Sequence, residues 1–266
     1  EGLFSRCFRQ WEPAFSNHGR SLIMKVDLED KVAIVTGGSR GYGAGIAEIL
    51  SEKGCHVWIT ARGEDQLRQT ADRIGVQFVV ADVTEPEDWD RVFNDVMSET
   101  NRIDVLINNA GAGVDIAPLA EQTDEEIQRS IDVNLTGAIF GCRRAAKVMA
   151  EQGSGTIVNV SSVCEKEAWP GFGPYSAAKA GLAQLSDCLY TELREKGVRV
   201  TTITPSWGAT NFARAAGLPE KDEQTREKCI QPRELGEIVA QICELPPHLE
   251  IQDLTLWPRV QEVVPL

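Results

Sequence analysis

The strongest constraint on this chain is a rhythm. Seven short β-branched or apolar runs, at 31–36, 56–60, 77–81, 104–108, 156–160, 198–204 and 251–257, alternate with longer stretches of helical spacing at 42–53, 64–74, 86–100, 124–151, 175–195 and 232–243. Several runs, such as Val32-Ala33-Ile34-Val35, lack polar alternation. A strand that is apolar on both faces is buried on both, as in a parallel sheet covered by helices. The expected fold class is therefore α/β: a single-domain, doubly wound parallel sheet of about seven strands flanked by helices, with right-handed crossovers. The length of 266 residues suits one such domain, placed at 24–266. Residues 1–23 mix Arg6, Arg9 and Arg20 with Phe4, Phe8, Trp11 and Phe15 and are expected to be a poorly ordered N-terminal extension. The pieces expected to lack regular structure, 111–123 and 206–230, follow strand ends, where open α/β sheets bind ligands.

Charge narrows the partners. The formal net charge is −13, which disfavours nucleic acid and anionic membrane surfaces and suits a cytoplasmic protein. The seven cysteines are scattered and form no C-x-x-C pair, and the three histidines lie far apart, so no metal site is expected. No apolar run approaches the ~18 residues of a membrane span.

The first run leads straight into Thr36-Gly37-Gly38-Ser39-Arg40-Gly41-Tyr42-Gly43 and then a helix. Glycines at 37, 41 and 43 permit positive φ and a close backbone approach, and a helix start aims free N–H groups at a phosphate. This is the phosphate turn of a dinucleotide-binding, Rossmann-type fold. The second run ends at Arg62, where an NAD-type fold carries an acid for the ribose hydroxyl. Arg40 and Arg62 suit a 2′-phosphate instead, so NADP(H) is the preferred cofactor, with NAD(H) as the alternative. Asp82, next to Val83 after the third run, either accepts from an adenine amino group or starts a turn before Pro86. Asn108-Asn109-Ala110-Gly111, after the fourth, ties neighbouring strands while leaving room for a flat cofactor.

Tyr175 and Lys179 are four residues apart on one helix face. Ser162 ends the fifth run, and Asn134 sits within the fourth long helical stretch. Together with Thr36-Gly37-x-x-x-Gly41-x-Gly43, Asp82, Asn108-Asn109-Ala110-Gly111 and Tyr175-x-x-x-Lys179, these residues make the chain resemble a short-chain dehydrogenase/reductase of the classical type, over roughly 31–266. The resemblance implies an oxidoreductase with a nicotinamide cofactor and an Asn134–Ser162–Tyr175–Lys179 tetrad. It implies cofactor contacts at Gly37, Ser39, Arg40, Gly41, Tyr42, Gly43, Arg62, Asp82, Val83, Asn109, Ala110, Gly111, Tyr175, Lys179, Pro205, Gly208 and Thr210. It also implies dimer or tetramer contacts through the small-residue helices near 135–151 and 175–195, with a homotetramer expected. Three positions depart from the family pattern: Tyr42 replaces Ile or Leu, Ser206 replaces the Gly after Pro205, and the C-terminus reads Leu256-Trp257-Pro258-Arg259. That last stretch is similar to a subset including hydroxy-acid and serine dehydrogenases.

Carbonyl reduction needs a proton at oxygen, and Tyr175 is the expected donor. A phenol's ordinary pKa of ~10 is high for this work, and Lys179 with the positive nicotinamide ring is expected to lower it. Ser162 is expected to stabilise charge at the substrate oxygen, and Asn134 to hold a water that relays protons to Lys179. Substrate contacts are expected from 113–119, 164–173 and 207–218, with Val114, Ile116, Trp169, Phe172, Trp207 and Phe212 making an apolar cavity. Glu165, Glu167 and Asp115 are expected to make its mouth negative. The substrate is thus a small carbonyl or alcohol, hydrophobic or a small hydroxy compound. The alternatives are a 3-oxoacyl carrier-protein reductase, which would need a basic surface such as Arg143-Arg144, and a non-catalytic nucleotide sensor on the same fold.

Overall fold

A computed structural model describes residues 25–113 and 116–262. The chain runs β1 (Val32–Thr36), α1 (Gly41–Glu52), β2 (His56–Ala61), α2 (Glu64–Ile74), β3 (Gln77–Val80), α3 (Pro86–Thr100) and β4 (Val105–Asn108). It continues through α4 (Asp124–Ile131), α5 (Gly137–Gln152), β5 (Gly155–Val160), α6 (Gly173–Leu193), β6 (Val198–Pro205), α7 (Phe212–Ala215), α8 (Glu223–Glu227), α9 (Pro232–Cys243) and β7 (Asp253–Leu256). All seven strands are parallel, in the order β3-β2-β1-β4-β5-β6-β7.

The double burial read from β1 is observed. Ala33 and Val35 join one apolar layer, with Ile46, Leu50, Leu67, Leu235 and Val239 from α1, α2 and α9. Val32 and Ile34 join the opposite layer, with Trp89, Val92, Cys142, Met149 and Leu189 from α3, α5 and α6. Each Val, Ile, Leu or Met among them contributes about 1.5–3 kcal/mol of transfer free energy, so β1 is the hydrophobic axis of the sheet. Between α1 and α9 the backbones nearly touch: a Cβ on Gly45 would lie 2.3 Å from Pro232 O, and one on Gly236 would lie 2.6 Å from Gly45 O.

The chain leaves β3 at the sheet edge and re-enters at β4 beside β1. The carboxyl ends of β1 and β4 therefore diverge into opposite crossovers and leave a crevice between them. The glycine turn and Asn108–Gly111 flank that crevice.

Two departures from the sequence pattern matter. The stretch 124–151 is not one uniform helix: α4 and α5 are joined by a π-helical turn at Asp132–Thr136. The segments expected to be irregular hold short helices, a 3₁₀ turn at Leu119–Glu121 and α7 and α8 after β6. The expectations for residues 1–23, Val114 and Asp115 fall outside the described residues. Among the described residues, no helix is long and apolar enough to cross a membrane, and no group of His, Cys, Asp and Glu could hold a metal ion.

Candidate active site

A cleft of about 710 Å³ opens along the carboxyl edge of the sheet, lined by the glycine turn, the loops after β2 to β5 and the segment after β6. Its phosphate end is built by steric exclusion. Gly37 has φ +66°, and a Cβ there would lie 2.9 Å from Asn109 Nδ2. A Cβ on Gly43 would lie 2.3 Å from Gly37 O, so Gly43 does not line the cleft but lets α1 start against the turn. We expect Gly43→Val to lose soluble expression or, if folded, all measurable dinucleotide binding, because backbone cannot retreat as a flexible side chain can. Thermal melting and a fluorescence titration check this, and wild-type binding in the variant would refute it.

Thr36 fastens the two sides of the crevice. Its hydroxyl accepts from Asn109 N at 3.0 Å and Ala110 N at 2.9 Å, while Asn109 Nδ2 donates to Thr36 O at 2.8 Å. Asn108 Nδ2 donates to Asn159 Oδ1 at 2.8 Å, tying β4 to β5. The asparagine pair thus ties strands as its position suggested, while Thr36 was missed as a clasp. Ser39, Arg40, Gly41, Tyr42, Arg62, Asp82, Val83, Ala110, Gly111, Pro205, Gly208 and Thr210 all line the cleft. Arg62 Nη1 lies 3.8 Å from Asp82 Oδ2. Asp82 Oδ1 accepts from Thr84 N and Oγ1 at 3.0 and 2.8 Å, so the acid does start a turn. The Tyr42 hydroxyl is buried without a protein partner and packs against Gly208, where a Cβ would lie 2.1 Å from it.

Tyr175, Lys179, Ser162 and Asn134 also converge on the cleft. Pro174 helps start α6, placing Tyr175 in its first turn. Lys179, one turn on, donates to Val160 O at 2.9 Å, and its Nζ lies 5.8 Å from the Tyr175 ring centroid. The π-helical turn presents Asn134 to the loop after β4: Oδ1 accepts from Ala112 N at 3.1 Å and Nδ2 donates to Ala112 O at 2.9 Å. A Cβ on Gly111 would meet both Asn134 Oδ1 and Lys179 Nζ, so that glycine keeps the two side chains together.

The expected lowering of the Tyr175 phenol invokes the nicotinamide ring as well as Lys179, and the protein's own groups act in the other direction. Tyr175 is not lowered: burial pushes its phenol up, with only the Ser162 hydroxyl opposing. Burial also drives the Lys179 amine down, to about 8. Desolvation of both groups outweighs their proximity.

Around Tyr175 the walls are aromatic. Its ring centroid lies 5.5 Å from that of Phe212 and 6.1 Å from that of Phe172, which lies 6.3 Å from that of Trp169. Trp207 lines the cleft too, as do Cys164, Leu218, Lys221 and Gln261. The 113–119 expectation fails for its described members. Ile116 does not line the cleft but faces Gly171, and Leu119 is exposed. The expected negative mouth is also absent at Glu165 and Glu167. Glu165 turns inward, 1% exposed, against Lys166 Nζ at 3.1 Å and Thr204 Oγ1 at 3.2 Å, and neither glutamate lines the cleft. Arg143-Arg144 is no docking pair: Arg144 is buried, donating to Asp90 Oδ1 at 2.7 Å and Pro86 O at 2.8 Å.

The family model for short chain dehydrogenases matches residues 31–221. The chain is a short-chain dehydrogenase. Like the family, it is an oxidoreductase acting on CH–OH donors. An uncharacterized oxidoreductase of Staphylococcus saprophyticus is 33% identical over 239 residues, spanning 88% of this chain and 99% of the relative. An uncharacterized oxidoreductase of Staphylococcus aureus is 31% identical over 234 residues, spanning 87% and 98%. Among solved structures, a serine dehydrogenase complexed with NADP+ superposes with a TM-score of 0.80 at 28% identity, covering 88% of this chain and 98% of that one. An alcohol dehydrogenase from the archaeon Thermococcus sibiricus, complexed with 5-hydroxy-NADP, gives 0.79 at 27%, covering 88% and 99%.

Proposed function

We propose that this short-chain dehydrogenase interconverts a ketone and a secondary alcohol with NADP(H), using Tyr175, Ser162, Lys179 and Asn134. The observation that carries this reading is their convergence in one cleft with a glycine cradle and two arginines. The cradle fits a dinucleotide: Gly37 and Gly41 hold positive φ, and a Cβ at Gly37 would press on the Asn109 wall. Arg40 and Arg62, both in the cleft lining, favour a 2′-phosphate over a bare ribose hydroxyl. When bound, the nicotinamide supplies or accepts the hydride.

The chain's own residues manage the proton. In reduction, the Tyr175 hydroxyl donates to the carbonyl oxygen. The Ser162 hydroxyl donates to the same oxygen and stabilises its growing charge. Lys179, as ammonium, stabilises the phenolate that remains. Asn134 holds the loop at Ala112 and, with Lys179 also beside Gly111, would hold a water that relays protons to that amine. Two supporting findings come from the solved structures with NADP-type ligands and from the aromatic walls around Tyr175. A panel of ketones, aldehydes and hydroxy acids with NADPH and NADP+ tests the reading. No hydride transfer to any member, with dinucleotide bound, would overturn it.

The pH profile tests Lys179. The amine is needed charged, and burial holds it near about 8. Reduction kcat/KM should therefore fall above that pH, approaching tenfold per unit. Lys179→Arg stays charged and should flatten the alkaline limb while lowering the plateau. An unchanged limb in that variant would assign it to another group.

A further inference from the structure

The charges lining the cleft are Arg40, Arg62, Lys179 and Lys221 against one acid, Asp82, in a chain whose net charge is −13. The proposed activity accounts for three of these cations. Arg40 and Arg62 face the cofactor's phosphates, with Asp82 beside Arg62, and Lys179 serves Tyr175. Lys221 is left over, in the segment after β6, and among the described residues Asp82 is the one carboxylate that lines the cleft.

Lys221 is held in place. Its Nζ lies 4.3 Å from the centroid of the Trp207 ring, within cation–π range. That ring stands on a fixed backbone: Trp207 N donates to Gln261 Oε1 at 3.1 Å, and Trp207 O accepts from Ile230 N at 3.0 Å. The acids on either side do not neutralise it. Asp222 is engaged in capping α8, accepting from Thr225 N at 2.9 Å and Oγ1 at 2.8 Å. Glu220 is exposed and does not line the cleft. Neither forms an ion pair with Lys221 among the described residues. The same lining holds apolar Leu218, Pro219 and Phe212, whose ring centroid lies 5.5 Å from that of Tyr175.

We propose that the substrate is an oxo- or hydroxy-carboxylic acid whose carboxylate is bound by Lys221 while its carbonyl or alcohol meets Tyr175. This rests on the NADP(H)-dependent activity above and names its substrate class. An ammonium beside an aromatic platform attracts a carboxylate and gains no such attraction from an uncharged ester.

The test compares matched substrates on the full-length protein with NADPH: levulinate, benzoylformate and β-benzoylpropionate against their methyl esters. We expect at least one acid to exceed its ester in kcat/KM by about tenfold or more. Lys221→Gln should bring that ratio close to one, Lys221→Glu should invert it, and Lys221→Arg should restore it. NADPH dissociation constants from protein fluorescence, with melting temperatures, separate loss of the ion pair from loss of the fold. Esters turned over as well as acids by the wild type would overturn the proposal and leave the activity standing. An acid preference that survives Lys221→Gln in a folded variant would also overturn it. If neither acids nor esters are reduced while NADPH binds and the wider carbonyl panel is reduced, this proposal falls alone; if that panel fails too, the activity falls with it.

Discussion

Tyr175→Phe is expected to lower turnover by ~10³-fold or more while changing the NADPH dissociation constant by less than about threefold, since general acid–base groups typically supply ~10²–10⁴ and this phenol is the proposed source of the proton. The substitution removes one oxygen and keeps the ring. That ring is 6% exposed and packs between Phe172 and Phe212, so the aromatic wall survives and the fold should not suffer. Burial pushes the phenol up, so the donor role depends on the positive charge of Lys179 beside the phenolate that remains. Ser162→Ala should then retain more activity than Tyr175→Phe, because it stabilises charge without supplying the proton. Single-turnover absorbance of NADPH, paired with a binding titration, checks both. Retained turnover in Tyr175→Phe would remove the phenol from the mechanism.

The second large effect concerns the cofactor. Arg40→Ala combined with Arg62→Ala should weaken NADPH binding by about 100-fold and NADH binding by less than about threefold, since each charge-assisted contact to a phosphate is worth roughly 1.5–3 kcal/mol. Folding is not at stake. Arg62 sits 3.8 Å from Asp82 with its side chain 70% exposed, and such surface pairs contribute under about 1 kcal/mol. Parallel titrations with both dinucleotides decide it. Equal losses for the two would mean the arginines meet the shared pyrophosphate, or nothing at all, and would end the case for NADP(H) preference.

What was legible in the chain was what local chemistry dictates. The unbroken apolar run at β1 marks a strand covered on both faces, and the layers on either side of Ala33 and Ile34 show why. Glycines at 37 and 43 mark a turn where backbone approaches backbone. The four-residue spacing of Tyr175 and Lys179 survives intact because α6 is regular there. What was hidden depends on partners distant in the chain. The π-helical turn at Asn134 is accompanied by bonds to Ala112, 22 residues away, which no helical periodicity reveals. Glu165 read as a surface charge near the mouth until Thr204, on β6, drew it inward. Burial pushes the Tyr175 phenol up, and the depth of that burial is a property of the assembled fold. Trp207 gains its fixed backbone from Gln261, 54 residues further on.

The fit between Tyr42 and Gly208 also constrains how this protein could be altered. The phenol fills the space in which any side chain at 208 would have to stand. A lineage or a library that enlarges position 208 first passes through a clash, whereas one that trims position 42 first meets only a void. The viable order of change is therefore one-way, and a survey of paired substitutions at these two sites would find one half of the grid nearly empty.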